Sequence, residues 1–164
     1  MQLTTKGRYA VTAMLDLASN ESTKPVTLDM ISQRQNISLS YLEQLFAKLR
    51  KAKLVKSVRG PGGGYLLNVN AEEVSLTQII EAVDENIDLR RCHGSKDCNR
   101  GKQCLSHHLW CEVSDQIRGF LSTRNLQQVM DDYRLNQSLN VNKFLKEYLH
   151  ANPNLYGLFV NHSG

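Results

Sequence analysis

Residues 38–67 read SLSYLEQLFAKLRKAKLVKSVRGPGGGYLL, and the hydrophobic period changes within that one stretch. In its first half Leu42, Leu45, Phe46 and Leu49 fall at i, i+3, i+4 and i+7, the stripe of a half-buried helix. Ser38 is placed to cap that helix, with Ile37 before it and Leu42 after it as a hydrophobic staple. Ser40-x-x-Glu43 offers a competing capping box two residues later. Ser40, Glu43, Gln44, Ala47 and Lys51 are left on the wet face. In the second half LVKSV alternates as a strand does, GPGGG turns the chain, and YLL returns, which predicts a β-hairpin.

Upstream, Thr27 is placed to cap a short helix through about Gln33, with Leu28, Ile31 and Met30 marking its buried side. Thr5 to about Ser19 predicts another helix, whose stripe of Tyr9, Ala13 and Leu17 is widened by Ala10, Met14 and Leu15. A short helix, a turn, a longer helix with a polar outer face and then a hairpin is the winged helix-turn-helix pattern. Downstream, Ser75 caps a helix with Leu76, Ile79, Ile80 and Val83 apolar. Leu105, Leu109, Val113, Ile117, Phe120 and Leu121 then form a narrow seam along a helix of about five turns. Such a seam outside the DNA-binding unit suits a partner helix from a second copy, or folding back onto the winged domain. The expected fold is mainly α with a small β-hairpin. Residues 1–80 form a winged helix-turn-helix DNA-binding domain, 81–130 a cysteine loop and a long dimerisation helix, and 131–164 a C-terminal tail. In the tail Val141, Phe144, Leu145, Tyr148 and Leu149 either form a short amphipathic helix that docks, or belong to a partly ordered segment that also carries Tyr133, Tyr156 and Phe159.

With 164 residues, 41% apolar and 22% charged, the chain can build a core. No run approaches the roughly 20 apolar residues that span a bilayer. Thr12 and Asp16 interrupt the N-terminal apolar stretch that a secretion signal would need, so a cytoplasmic location is expected, with no membrane partner. The net charge of +4 lies in the first half, where residues 1–80 carry ten Lys/Arg against six Asp/Glu, while the remainder carries ten of each. Lys48, Arg50, Lys51, Lys53, Lys56 and Arg59 occur with no acid among them and lead into the glycine-rich turn. A solvated helix face is the ordinary explanation of such a run, but its position beside the hairpin favours phosphate neutralisation.

Arg59-Gly60-Pro61-Gly62-Gly63-Gly64 lacks the Lys-Ser/Thr of a nucleotide-binding loop and is followed by a strand. An arginine at the base of a slender glycine tip suits close approach to a DNA backbone or entry into a narrow minor groove. On the helix from Ser38, Gln44 can pair with adenine, and Ser38 and Ser40 can reach bases or phosphates. Glu43 tolerates cytosine N4 or serves only the capping box, and both readings stand. The DNA-facing set expected is Thr27, Ser38, Ser40, Tyr41, Glu43, Gln44 and Lys48, with Arg59 and Gly60 on the wing. The expected partner is a double-stranded DNA operator.

All four cysteines lie in CHGSKDCNRGKQCLSHHLWC, residues 92–111, where Cys92, Cys98, Cys104 and His107 have the spacing C-x5-C-x5-C-x2-H. In a reducing cytosol clustered thiols are more often metal ligands or redox groups than disulfides. Three sulfurs and an imidazole suit zinc or an iron–sulfur cluster, and ligand types alone do not choose between them. A helix starting near Cys104 would put Cys104 and His107 on one face. His93, His108 and Cys111 are alternative ligands, and Gly94 and Gly101 ease wrapping of the loop. An enzyme is disfavoured: no C-x-x-C motif, nucleophile–base set or convincing cofactor loop is present.

Taken together, L-T-x-K-G-R-Y-A-V-T-A-M-L-D at 3–16, S-L-S-Y-L-E-Q-L-F at 38–46, V-R-G-P-G-G-G-Y-L-L at 58–67, the cysteine spacing at 92–107 and L-W at 109–110 closely resemble one family. It is that of the iron–sulfur-sensing winged-helix repressors of bacterial cluster biogenesis. The likeness covers about residues 1–130. It implies a homodimer with one 2Fe–2S cluster per protomer, ligated by Cys92, Cys98, Cys104 and His107 and supplied by cluster-assembly machinery. It also implies that the helix after the loop crosses its twin at the dimer interface. The helix from Ser38 would enter the major groove, Arg59 would reach the minor groove, and operator binding would control cluster-assembly genes. The rival reading is a zinc-stabilised winged-helix DNA binder with no sensing role.

Overall fold

In a computed structural model of the chain, the residues described are 5–20, 24–85, 87–90, 92 and 95–151. The sequence readings on His93, Gly94, Tyr156 and Phe159, and on the side chains of Tyr148 and Leu149, lie outside them. The chain divides into two units, Met1–Val129 and Met130–Gly164.

In the first unit the helix α1 (Thr5–Ser19) has the predicted bounds. Ala10, Ala13, Met14 and Leu17 are buried, whereas Tyr9 sits at the rim, where its ring meets Tyr41 edge-on at 5.9 Å. Helix α2 (Leu28–Gln35) starts where Thr27 Oγ1 accepts the N–H of Met30 and stops where Asn36 turns left-handed at φ 53°. Leu28 and Ile31 are buried, but Met30 is exposed, because the short helix covers only a narrow stripe. Helix α3 (Leu39–Lys51) follows after three residues, burying Leu42, Leu45, Phe46 and Leu49 as the period requires. Ser38 occupies the cap position without a side-chain hydrogen bond. Ser40 lies inside the helix, so the competing box with Glu43 does not form.

A buried carboxylate that sequence periodicity did not flag holds α1 and α2 together. Asp16 accepts from Arg34 Nη2 at 2.6 Å and Nε at 3.0 Å, and from Gln35 Nε2 at 2.6 Å. Two ion-to-ion hydrogen bonds of this fork geometry fix orientation as well as distance. The pair raises the pKa of Arg34 above its ordinary value, chiefly through its hydrogen bond to Asp16.

Strands β1 (Val55–Val58) and β2 (Gly64–Leu67) pair antiparallel, Val55 opposite Leu67 and Val58 opposite Gly64. Between them Gly63 N–H donates to Gly60 O at 2.9 Å; Pro61 and Gly62 (φ 74°) fill the centre of the turn, as a type II turn requires. Val26 bridges to Tyr65 with both backbone hydrogen bonds, and a Cβ on Gly64 would lie 2.5 Å from Val26 O. The wing is therefore clamped to the residue before the α2 cap, and Tyr65 packs edge-on against Phe46 at 4.9 Å.

Helix α4 (Leu76–Ala82) is capped by a reciprocal box between Ser75 and Gln78, and Leu76, Ile79, Ile80 and the following Val83 are all buried. Helix α5 (His107–Thr123) packs on α4, with Arg118 3.3 Å from Glu81. It begins at His107 rather than near Cys104, so Leu105 precedes the helix and is fully exposed. The expected seam is thereby shortened at its start. Helix α6 (Leu126–Ala151) opens with Leu126 and Gln127 donating to Val74 O and Ala71 O in the first unit.

In the second unit α6 continues as one helix. The short segment expected around Val141, Phe144 and Leu145 is part of this 26-residue element, and those three side chains are exposed, as are Tyr133, Leu135 and Leu139. Among the described residues no helix is long and apolar enough to cross a membrane.

Candidate metal centre and DNA-facing surface

The loop between α4 and α5 is shaped by local chemistry. Between Cys98 and Cys104, Asn99 and Lys102 exchange both backbone hydrogen bonds around Arg100 (φ 48°) and Gly101 (φ 79°). Two successive residues with positive φ make the tight turn that matches strand twist, and they fold the thiols of Cys98 and Cys104 toward each other. Cys104 N–H donates to Cys98 Sγ at 3.1 Å. Further along, buried Ser114 on α5 accepts the N–H of Leu89 at 3.0 Å and donates to Trp110 O, tying the segment before Cys92 to the helix.

The result is a cavity of about 370 Å³ lined by Leu89, Arg90, Cys92, Cys98, Cys104, Ser106, His107 and Trp110. The ligand atoms of Cys92, Cys98 and His107 all lie within 4.8 Å of one another. His107 is buried, with Nδ1 3.4 Å from Cys98 Sγ and 3.6 Å from Cys92 Sγ. Cys104 lines the cavity but lies outside that close group, and its sulfur sits 3.7 Å from Ser106 Oγ. The loop's thiols are pushed apart in acidity. Hydrogen bonding with Cys98, then with Ser106, lowers the pKa of Cys104. Cys98 gains from the Cys104 N–H, but desolvation and the adjacent thiols of Cys104 and Cys92 outweigh this and leave its pKa raised. His108 is exposed, its ring 5.8 Å from that of His107, and Cys111 stands on the far side of His107 from Cys92 and Cys98, 3.4 Å from Nε2.

Converging thiols and an imidazole on a small cavity fit a soft metal or an iron–sulfur cluster, because that donor set matches both. The helix onset at His107, not helical spacing, sets the geometry: Cys104 approaches from the preceding turn, with His107 N–H donating to Cys104 O.

On the candidate DNA-facing surface Ser38, Ser40, Glu43 and Gln44 are exposed on the first turns of α3. Tyr41 is half-buried against Tyr9, and Thr27 is half-buried as the α2 cap. Arg59 and Gly60 are exposed at the wing. Lys48 is drawn away from this set: its Nζ lies 2.6 Å from Asp84 Oδ2, just past α4. On α5, Leu109 and Phe120 are exposed while Val113, Ile117 and Leu121 are half-buried.

A winged helix-turn-helix together with a pocket of converging thiols and an imidazole defines a DNA-binding regulator with a candidate metal site. The Rrf2 family, described as "Iron-dependent Transcriptional regulator", matches residues 3–132, and the chain belongs to it. It is 56% identical over 132 residues to HTH-type transcriptional regulator IscR of Photorhabdus laumondii subsp. laumondii, covering 80% of each chain. Among solved structures it is similar to T. potens IscR, with TM-score 0.66 and 35% identity over 81% of this chain and 88% of that one. It is also similar to CymR, the global cysteine regulator of B. subtilis, with TM-score 0.68 and 32% identity over 79% and 95%. The protein is a transcriptional regulator and not an enzyme. Fold likeness extends to a cysteine regulator, so the character of the metal site rests on this chain's own residues.

Proposed function

We propose that the protein is a cytoplasmic, homodimeric operator-binding regulator, chiefly a repressor, whose DNA affinity responds to a 2Fe–2S cluster, one per protomer, held by Cys92, Cys98, Cys104 and His107. The observation that carries this is the convergence of Cys92, Cys98 and His107 within 4.8 Å on a cavity that Cys104 also lines. When bound, such a cluster supplies a ligand whose occupancy follows iron and sulfide supply. Delivery belongs to cluster-assembly machinery, whose genes are the proposed targets. The 56% identity to proteins named IscR supports this reading over a purely structural zinc site.

The chain's own residues provide the coupling. The cysteine loop leaves α4 at Asp84, and Asp84 pairs with Lys48 on α3. Ordering the loop around His107 therefore pulls on a residue joined to the groove-facing helix. A bound group shifts operator affinity only through its different affinity for the two arrangements. Ser38, Ser40, Glu43 and Gln44 face the major groove in this proposal, Thr27 and Tyr41 flank them, and Arg59 with Gly60 reaches the minor groove. Lys48 would contact phosphate only by exchanging Asp84 for it. Leu109, Val113, Ile117, Phe120 and Leu121 form the dimer seam on α5; Leu109 and Phe120 are more than half exposed in the single chain, at 54% and 60%. The proposed division is a DNA-binding domain at 1–80, the cluster loop and dimerisation helix at 81–130, and a C-terminal extension at 131–164.

The test is anaerobic purification with iron, sulfide and zinc analysis and a visible spectrum, repeated for Cys98→Ser. Matched iron and sulfide with visible absorption, lost in the variant, supports the cluster. Stoichiometric zinc in colourless protein never exposed to oxygen overturns it in favour of a structural zinc site.

A further inference from the structure

Cys111 is the thiol that the proposed ligand set leaves unused, yet its surroundings are specific. Its sulfur lies 3.4 Å from His107 Nε2, while Nδ1 of the same ring faces Cys98 and Cys92 at 3.4 and 3.6 Å. The imidazole therefore stands between Cys111 and the other two thiols, and Cys111 is not in their close group. Arg90 Nη1 approaches the Cys111 sulfur at 3.9 Å. Arg90 is itself gripped by Asp88, whose two carboxylate oxygens accept from Nε and Nη2 at 2.7 Å each, and the Asp88 side chain is 5% exposed.

An imidazole that presents one nitrogen's lone pair to a metal carries its proton on the other. An acceptor for that N–H fixes the tautomer and the ring plane and strengthens the donor. Carboxylates and backbone carbonyls usually fill this role, and here a sulfur one helical turn beyond the histidine occupies the place. The i, i+4 spacing on α5 puts the two side chains side by side.

We propose that Cys111 is a positioning residue of the metal site: its sulfur, braced by Arg90 and Asp88, accepts the Nε2–H of His107 and keeps the Nδ1 lone pair turned toward Cys92 and Cys98. The proposal rests on the reading of His107 as a ligand given above. Cys111 itself coordinates nothing in this arrangement.

The experiment has two readouts on the full chain and on Cys111→Ala and Cys111→Ser. In metal-free protein with ¹⁵N-labelled histidine, at a pH where the ring is neutral, the wild type should show Nε2 protonated and Nδ1 bare. Cys111→Ala should move His107 toward the other tautomer, and Cys111→Ser, which keeps an acceptor, should restore it. In protein reconstituted anaerobically with iron and sulfide, iron release to a chelator should be about tenfold faster for Cys111→Ala and near wild type for Cys111→Ser. Unchanged tautomer populations in Cys111→Ala overturn the proposal. So does an equal loss in Cys111→Ala and Cys111→Ser, which would mark Cys111 as a ligand or a packing residue. Wild-type protein that takes up no cluster defeats the cluster reading, while the tautomer comparison still decides the role of Cys111. If Cys111→Ala does not fold, Cys111→Val, similar in volume but unable to accept, carries the same comparison.

Discussion

Replacing Asp16 with alanine should loosen the winged unit more than any change at a surface ion pair. The Asp16 side chain is 3% exposed and that of Arg34 34% exposed, so the substitution deletes a buried carboxylate while its cation keeps partial access to water. Losing hydrogen bonds to a charged group costs about 1.5–3 kcal/mol each when the partner stays buried. Arg34 can rehydrate and Gln35 is half-buried, so the bonds from Arg34, Gln35 and the longer one from Asn20 do not add, and we expect a net loss of about 2–3 kcal/mol. Urea unfolding should show a lower midpoint with an unchanged slope, since the surface exposed on unfolding is nearly the same. A double-mutant cycle with Arg34→Ala should return a coupling of about 1–2 kcal/mol. Because the pair fixes α2 against α1, and α3 follows α2 after three residues, operator affinity should also fall where the variant is still folded. A loss below about 0.5 kcal/mol, the range of neutral surface changes, would refute the reasoning.

Further expectations concern the wing and the thiols. Arg59→Ala should weaken operator binding and flatten the dependence of log affinity on log salt by about 0.9 for each phosphate the arginine neutralises, measured by fluorescence anisotropy over a salt series. Gly64→Ala should disrupt the wing, because its Cβ would fall 2.5 Å from Val26 O; proteolysis between 58 and 65 should accelerate. In metal-free protein Cys104 should be alkylated well ahead of Cys92, since its thiol is held below the ordinary range by Cys98 and is half-exposed while Cys92 is buried. The lowered pKa means that this lead persists as pH falls toward neutrality, which peptide mass spectrometry over a pH series would follow.

Those effects separate into ones visible in the chain's pattern and ones visible only in space. Helices α1 to α4, the hairpin and its turn were legible in the order of residues, because each depends on neighbours within one or two turns, whereas the onset of α5 and the 26-residue length of α6 were not. Leu42, Leu45, Phe46 and Leu49 repeat at helical spacing, Ser75 and Gln78 close their box locally, and Pro61-Gly62 can adopt one turn type more cheaply than others. The cysteine spacing likewise marked the candidate metal site, since soft ligands in one polar loop have few other uses.

Tertiary structure alone decided what distant residues do for one another. Asp16 read as an interruption in an apolar stretch, and only the approach of α2 supplies Arg34 to neutralise it and Gln35 to donate a further hydrogen bond. Lys48 read as a phosphate-facing cation, but Asp84 arrives from beyond α4 and claims it. Helical spacing suggested that Cys104 and His107 share a face, whereas the turn at Arg100-Gly101 and the helix onset at His107 bring His107 to Cys92 and Cys98 instead. The two sides of that ring, one toward the thiols of the loop and one toward Cys111, have no counterpart in spacing. Local conformational preferences act along the chain, but desolvation, charge pairing and the orientation of an imidazole depend on which atoms the folded core brings within a few ångströms.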